Sequence, residues 1–127
     1  MAALGLGIDL VEVERIRALL ERHGDRFKQR TFTAGEVAYC DACADPAIHY
    51  AARFAAKEAG AKALGTGFAE GVSWMDIEVT RAENGCPSLV FHNGAKTRAT
   101  ALGVKRCLLS LTHTTELASA HVILEEV

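Results

Sequence analysis

KRCLLSLTHTTELASAHVILEE, residues 105–126, is the stretch that decides the fold. Apolar and polar residues alternate on both sides of a hydroxyl-rich break between His113 and Glu116, so the segment reads as two strands folded back on each other. A second such pair lies upstream, where DIEVTRA (76–82) and PSLVFH (87–92) flank ENGC, whose Asn84 and Gly85 fit a tight hairpin turn. Two successive hairpins need no crossover helices, which favours an α+β fold over a doubly wound parallel sheet.

Working outward, NGAKTRATALG (93–103) reads as a short helix ending at Gly103. At the other end of the chain LGLGIDLVEV is strand-like, and VERIRALLERH continues it into an amphipathic helix with Ile16, Leu19 and Leu20 at helical spacing. Thr33 with Glu36 three residues later has the form of a capping box for a short helix through about Ala42. Asp45 and Pro46 suit the N-cap and first turn of a long helix that stops at Gly65. No repeat, low-complexity tract or linker interrupts the series. The 127 residues, half of them hydrophobic and only 2 of them proline, are therefore expected to form one domain, with one long central helix packed on antiparallel strands.

Composition narrows the function. With 14 basic and 16 acidic residues the chain has no cationic excess of the kind that condenses on nucleic acid or anionic lipid. The apolar start MAALGLGIDLVEV lacks a basic n-region and carries Asp9 and Glu12 too early for a signal peptide or a membrane span, so a cytoplasmic protein is expected. Of Cys40, Cys43, Cys86 and Cys107 only the first two are close, and His49 is their one nearby histidine. Free thiols in a reducing compartment are the expectation, rather than a zinc site.

Charge is oddly placed in HYAARFAAKEAGAKALG (49–65). On a helical wheel Glu58 and Lys62 share a side with Ala47, Ala51, Phe54 and Ala55, while Arg53 lies opposite and Lys57 near the flank. The pair either enters the interior, lines a cleft, or forms an ordinary exposed i to i+4 pair contributing about 0.2–0.5 kcal/mol, and helical geometry leaves these open. Asp9 repeats the oddity, sharing a strand face with Val11 and Val13. A carboxylate in apolar company protonates, pairs or coordinates a cation. Two of them suggest one shared cation, and so few oxygen ligands suit magnesium, which keeps waters and completes its shell with substrate phosphates. His113 ends a strand, where a histidine is ordinarily structural or solvated. GLG at 5–7 lacks the third glycine of a dinucleotide fingerprint, and GTG at 65–67 follows a helix C-terminus, so neither is a phosphate loop.

Taken together, GIDLVEVERI (7–16), RFAAKEAGAKALGTGF (53–68), SWMDIEV (73–79), NGCPSL (84–89) and SLTHTTELASAHVIL (110–124) resemble the holo-acyl-carrier-protein synthases, the small bacterial 4'-phosphopantetheinyl transferases. The resemblance covers nearly the whole chain in order. It implies transfer of the phosphopantetheine arm of coenzyme A to a serine hydroxyl of apo acyl carrier protein, with release of adenosine 3',5'-bisphosphate, in fatty acid biosynthesis. It also implies a homotrimer that binds coenzyme A between protomers.

Residue by residue, the resemblance makes Asp9 and Glu58 the ligands of magnesium, or of manganese in its place, and puts Lys62 against the leaving bisphosphate, kept cationic by Glu58 one turn away. Glu58 or a metal-bound water would accept the serine proton. His113 stands at the position that contacts the diphosphate, and Thr114 after it excludes a histidine-aspartate pair. Arg53, Gly65, Ser73 and Pro87 match positions near the coenzyme A cleft. Arg15, Arg22, Arg26, Phe27 and Arg30, with Lys28 among them, match the surface that receives the acidic carrier; a solvated amphipathic face is the plainer reading of those charges. A catalytically silent relative that only binds coenzyme A or a carrier is the main alternative, and the presence of Asp9, Glu58 and Lys62 together argues against it. An unrelated magnesium-dependent phosphate-ester hydrolase would want more metal carboxylates.

Overall fold

The computed structural model describes residues 2–127. Strand β1 (Ala3–Glu12) runs directly into helix α1 (Val13–His23), followed by α2 (Asp25–Thr31), α3 (Ala34–Asp41) and the long α4 (Pro46–Leu64). A 3-10 turn (Trp74–Asp76) leads into β2 (Ile77–Arg81) and β3 (Pro87–Phe91), then α5 (Asn93–Leu102), β4 (Arg106–His113) and β5 (Leu117–Glu125). Strands β1, β5 and β4 form one antiparallel sheet with β5 in the centre, and β2 and β3 form a separate hairpin. Both expected hairpins and the α+β architecture are therefore present.

The turn between β2 and β3 differs from a two-residue Asn-Gly loop. The Gly85 amide bonds the Ala82 carbonyl at 2.8 Å and the Ala82 amide bonds the Cys86 carbonyl at 2.9 Å, so the loop is longer, with Gly85 alone in the left-handed region at φ 83°. The capping box at Thr33 and Glu36 is formed as expected. Asp45 holds the N-cap position of α4 without capping it, because both its oxygens go to the Arg17 guanidinium at 3.1 and 3.2 Å. Helix α2 is an addition to the expected elements. Gly24, at φ 50°, breaks what would otherwise be one helix, and its amide still bonds the Leu20 carbonyl.

Alternation along β1 and β5 turns Gly7, Val11, Ala118, Ala120, Val122 and Leu124 inward, and α4 lies across this face. The approach is close enough that only glycine fits. A methyl on Gly7 would overlap the Ala59 carbonyl oxygen and lie 2.7 Å from its carbon and 3.0 Å from the Ala63 nitrogen. Gly5 meets the Ala63 carbonyl in the same way. The GLG sequence therefore serves packing of strand on helix.

Helices α1, α3 and α5 and strand β2 cover the remaining sides of α4. From Tyr50 to Leu64 every residue is buried except Glu58 and Lys62. The helix has no solvated side for the wheel to find, and its small residues reflect close packing all round. The two charges assigned to the far side and the flank, Arg53 and Lys57, are the buried ones. Lys57 Nζ donates to Glu36 Oε1 at 2.6 Å, with both side chains fully buried. Glu36 also accepts from the Thr33 amide at 2.8 Å and, through Oε2, from the Val79 amide at 2.8 Å. One carboxylate thus ties α3, α4 and β2 together. All four cysteines are free thiols.

Candidate active site

Asp9 lies on the inner face of β1, opposite Ala120, and the face it shares with buried Val11 is the one that α4 crosses. Lys62 Nζ donates to Asp9 Oδ1 at 3.0 Å and to the Ile8 carbonyl oxygen at 3.1 Å. The expected Glu58–Lys62 pair is absent among the described residues. Lys62 turns instead to the strand, where a carboxylate and a carbonyl offer two acceptors at once. Glu58, one turn before Lys62 on α4 and only partly buried, stands near enough to feel the charges of both Lys62 and Asp9. Its carboxyl is held above the usual range, first by burial and then by the Asp9 charge, while Lys62 and Arg15 offset part of this.

A carboxylate raised in part by its Asp9 neighbour, and with no hydrogen-bond partner among the described side chains, makes with Asp9 a good fit for a divalent cation. Among the described residues no group of three or more His, Cys, Asp or Glu side chains could hold a metal. A cation between Asp9 and Glu58 would therefore take most of its shell from water and substrate oxygens, which suits magnesium.

A second cluster involves residues that sequence reasoning did not join. The Arg53 guanidinium sits 4.0 Å from the centre of the Tyr39 ring and that of Arg81 at 5.0 Å. Tyr39 meets His49 edge-on at 5.9 Å, and His49 meets His113 at 5.7 Å. Burial, then the positive charges of Arg53, His113 and Arg81, holds His49 below the usual imidazole range. Among the described residues neither arginine has a carboxylate partner, and Arg53 Nε is the one buried side-chain nitrogen or oxygen without a hydrogen bond. A cleft of about 230 Å³, lined by Tyr39, Arg53 and Arg81 and also by Glu36 and Glu78, opens here. The two carboxylates are taken by Lys57 and His92, so the arginines beside the cleft stay without ion-pair partners among the described residues, which is chemistry for an anion such as a phosphate. The sequence signal for His49 was its i to i+4 spacing from Arg53; Tyr39 and Arg81 come from α3 and β2 and carried none.

The remaining positions stand apart from these clusters. Gly65 is the left-handed C-cap of α4 at φ 79°, Ser73 precedes the 3-10 turn and donates its amide to Asp76 at 3.0 Å, and Pro87 opens β3. On α1 and α2 the ion pairs sort the cations. Arg17 is engaged by Asp45 and Glu14, and Lys28 by Asp41 at 3.2 Å, so Lys28 belongs to an internal ion pair. Arg15, Arg22, Arg26 and Arg30 have no carboxylate partner among the described residues. Arg26, Phe27 and Arg30 line a cleft of about 520 Å³ with Leu19, His23 and Trp74, an aromatic wall that the sequence reading left out.

Residues 5–121 match the model of the 4'-phosphopantetheinyl transferase superfamily. The chain belongs to this superfamily. Within it, the chain is 52% identical over 122 residues to the holo-[acyl-carrier-protein] synthase of Solibacter usitatus, covering 96% of this chain and 98% of the relative. The crystal structure of holo-[acyl-carrier-protein] synthase from Neisseria meningitidis superposes with a TM-score of 0.89 at 31% identity, covering 98% of this chain and 99% of the other. The Helicobacter pylori synthase, solved in complex with coenzyme A, gives 0.84 at 26% identity over 94% and 99% of the two chains. The fold is that of these synthases, and the chain is a phosphopantetheinyl transferase of their kind.

Proposed function

We propose that the chain moves the 4'-phosphopantetheine arm of coenzyme A to a serine of apo acyl carrier protein through a magnesium site made by Asp9 and Glu58, with Lys62 beside it, for fatty acid biosynthesis in the cytoplasm. The observation that carries this reading is the Lys62–Asp9 contact between α4 and β1, with the Glu58 carboxyl close enough to be raised by the Asp9 charge. Free thiols suit a reducing compartment.

When bound, the ion supplies Lewis-acid polarisation of the phosphorus under attack and charge neutralisation. The chain does the positioning. Asp9 is fixed by the antiparallel pairing of β1 with β5 and Glu58 by the packing of α4, so their spacing is preset. Lys62 offers three N–H donors on a flexible stem to the leaving bisphosphate, where negative charge grows. Arg53, with Arg81, His49 and His113 around it, receives a phosphate of coenzyme A. Gly65, Ser73 and Pro87 serve the same substrate from positions that do not share a cleft within one chain.

That scatter supports a site completed by association. The outer face of the β1–β5–β4 sheet carries Leu6, Ile8 and Leu10 at 69, 54 and 63% exposure, together with Leu108, Leu117 and Ile123. An apolar face of this extent suits burial against further copies, and a homotrimer is the assembly we assign. The unpaired arginines of α1 and α2, with Phe27, form the surface for the acidic carrier.

The reading is tested by mixing the protein with apo carrier protein, coenzyme A and magnesium and weighing the carrier. A gain of one phosphopantetheine, lost with chelator, is expected; an unmodified carrier overturns the proposal.

A further inference from the structure

Lys62 has two competing uses. In the folded chain its ammonium is held at two points on β1, the Asp9 carboxylate at 3.0 Å and the Ile8 carbonyl at 3.1 Å. The Asp9 side chain is only 16% exposed, whereas that of Lys62 is half exposed. A divalent cation drawn to Asp9 and Glu58 would seek the same carboxylate, and although the Lys62 contact uses Oδ1 alone, an ammonium and a divalent ion on one carboxylate repel each other. The substrate, for its part, needs the ammonium at its phosphates.

We propose that Lys62 is a displaceable stand-in for the metal: cation binding at Asp9 expels the ammonium from Asp9 and Ile8, and that release delivers it to the diphosphate. This rests on the reading of Asp9 and Glu58 as the metal pair.

Three features fit such an exchange. First, the contact is monodentate and its cationic partner is solvent-accessible, so it breaks without unpacking the core. Secondly, the lysine stem lets its head swing on the timescale of rotamer change while α4 stays in place. Thirdly, Glu58 has no hydrogen-bond or ion-pair partner among the described residues, so the incoming ion meets one open carboxylate before it must displace anything. Net charge follows the same logic: two carboxylates and one ammonium become two carboxylates and one divalent ion, with the ammonium free for the substrate's negative charge.

The device couples the ligands. Metal frees the lysine that coenzyme A uses, and coenzyme A removes the competitor for Asp9. Each therefore raises the affinity of the other by the same factor.

Lysine acetylation footprinting read by mass spectrometry tests this, with Mn2+ as the probe and its uptake followed by electron paramagnetic resonance. At Mn2+ saturation without coenzyme A, Lys62 acetylation should rise several-fold while exposed Lys96 and Lys105 stay constant. Asp9→Asn should give the high reactivity without metal and no further rise. Lys62→Met should bind Mn2+ several-fold more tightly and lose the enhancement of Mn2+ affinity by coenzyme A. If Mn2+ binds through Asp9 and Lys62 reactivity stays flat, the exchange is overturned while the metal site stands. If the wild-type chain takes up no Mn2+, the metal reading and the exchange fall together.

Discussion

Gly7→Ala probes the contact on which the spacing of the site depends. A methyl there would overlap the Ala59 carbonyl oxygen and sit 2.7 Å from its carbon, where ordinary carbon contacts lie at about 3.5–4.0 Å. Strand β1 and helix α4 must then part by about 1 Å, since the obstacle is backbone and no side chain can swing aside. Two residues along β1, the Lys62–Asp9 contact would stretch from 3.0 Å out of hydrogen-bonding range, and the gap between the carboxylates of Asp9 and Glu58 would widen by a similar amount. Overpacking of this kind costs about 1–3 kcal/mol, which for a chain of this size lowers Tm by about 5–10 °C. A misplacement of about 1 Å at reacting groups is worth about a hundredfold in rate. Turnover should therefore fall far more than stability when both are measured at a temperature where circular dichroism shows the variant fully folded. Wild-type turnover and Mn2+ affinity in a folded Gly7→Ala protein would refute the idea that this contact sets the site.

Three further outcomes follow from the geometry. Glu36→Gln or Lys57→Met leaves a buried charge without its partner and should destabilise by about 3–5 kcal/mol in calorimetry, whereas the double replacement should recover part of the loss; equal loss in all three variants would mean the pair does not act as a unit. An NMR titration should find the His49 imidazole below a free one, and Arg53→Gln should move it up by removing a repelling charge. Because folded His49 then binds fewer protons than the unfolded chain, it makes stability rise with pH between its lowered pKa and about 6.5; a His49 at or above the free value contradicts the cationic cluster. Replacing Arg22 and Arg26 with glutamate should raise KM for the carrier and weaken its salt dependence while leaving that for coenzyme A unchanged, and an unaltered carrier KM would send the docking surface elsewhere.

What the sequence made visible was local. Alternation marked the strands and turned Asp9 toward apolar company, spacing marked the helices, and Thr33 with Glu36 marked a cap. What it hid was set by distant partners. Glu36 read as a capping residue, yet its decisive bond runs to Lys57 across 21 positions. The helical wheel assumed one buried and one solvated side, and α4 is covered almost all round, so Arg53 and Lys57, read on the opposite side and the flank, are buried too. Lys62 was paired with Glu58 because an i to i+4 neighbour is the only partner a sequence displays; Asp9, 53 positions away, was known as a candidate only by its own strand. The cluster of Tyr39, His49, Arg53 and Arg81 draws on three elements, and no spacing along the chain could have assembled it. Helix α2 was concealed because a single glycine separates it from α1.

The account stands most directly on the two carboxylates. Asp9→Asn and Glu58→Gln change a charge and no volume, so each should fold as the wild type does yet lose about a hundredfold or more of magnesium-dependent transfer. Steady-state transfer of phosphopantetheine to carrier protein, titrated with magnesium for the two variants beside the wild type, is the measurement. Loss of turnover that added magnesium only partly restores is the result predicted; either variant turning over at the wild-type rate and with wild-type magnesium dependence would contradict it.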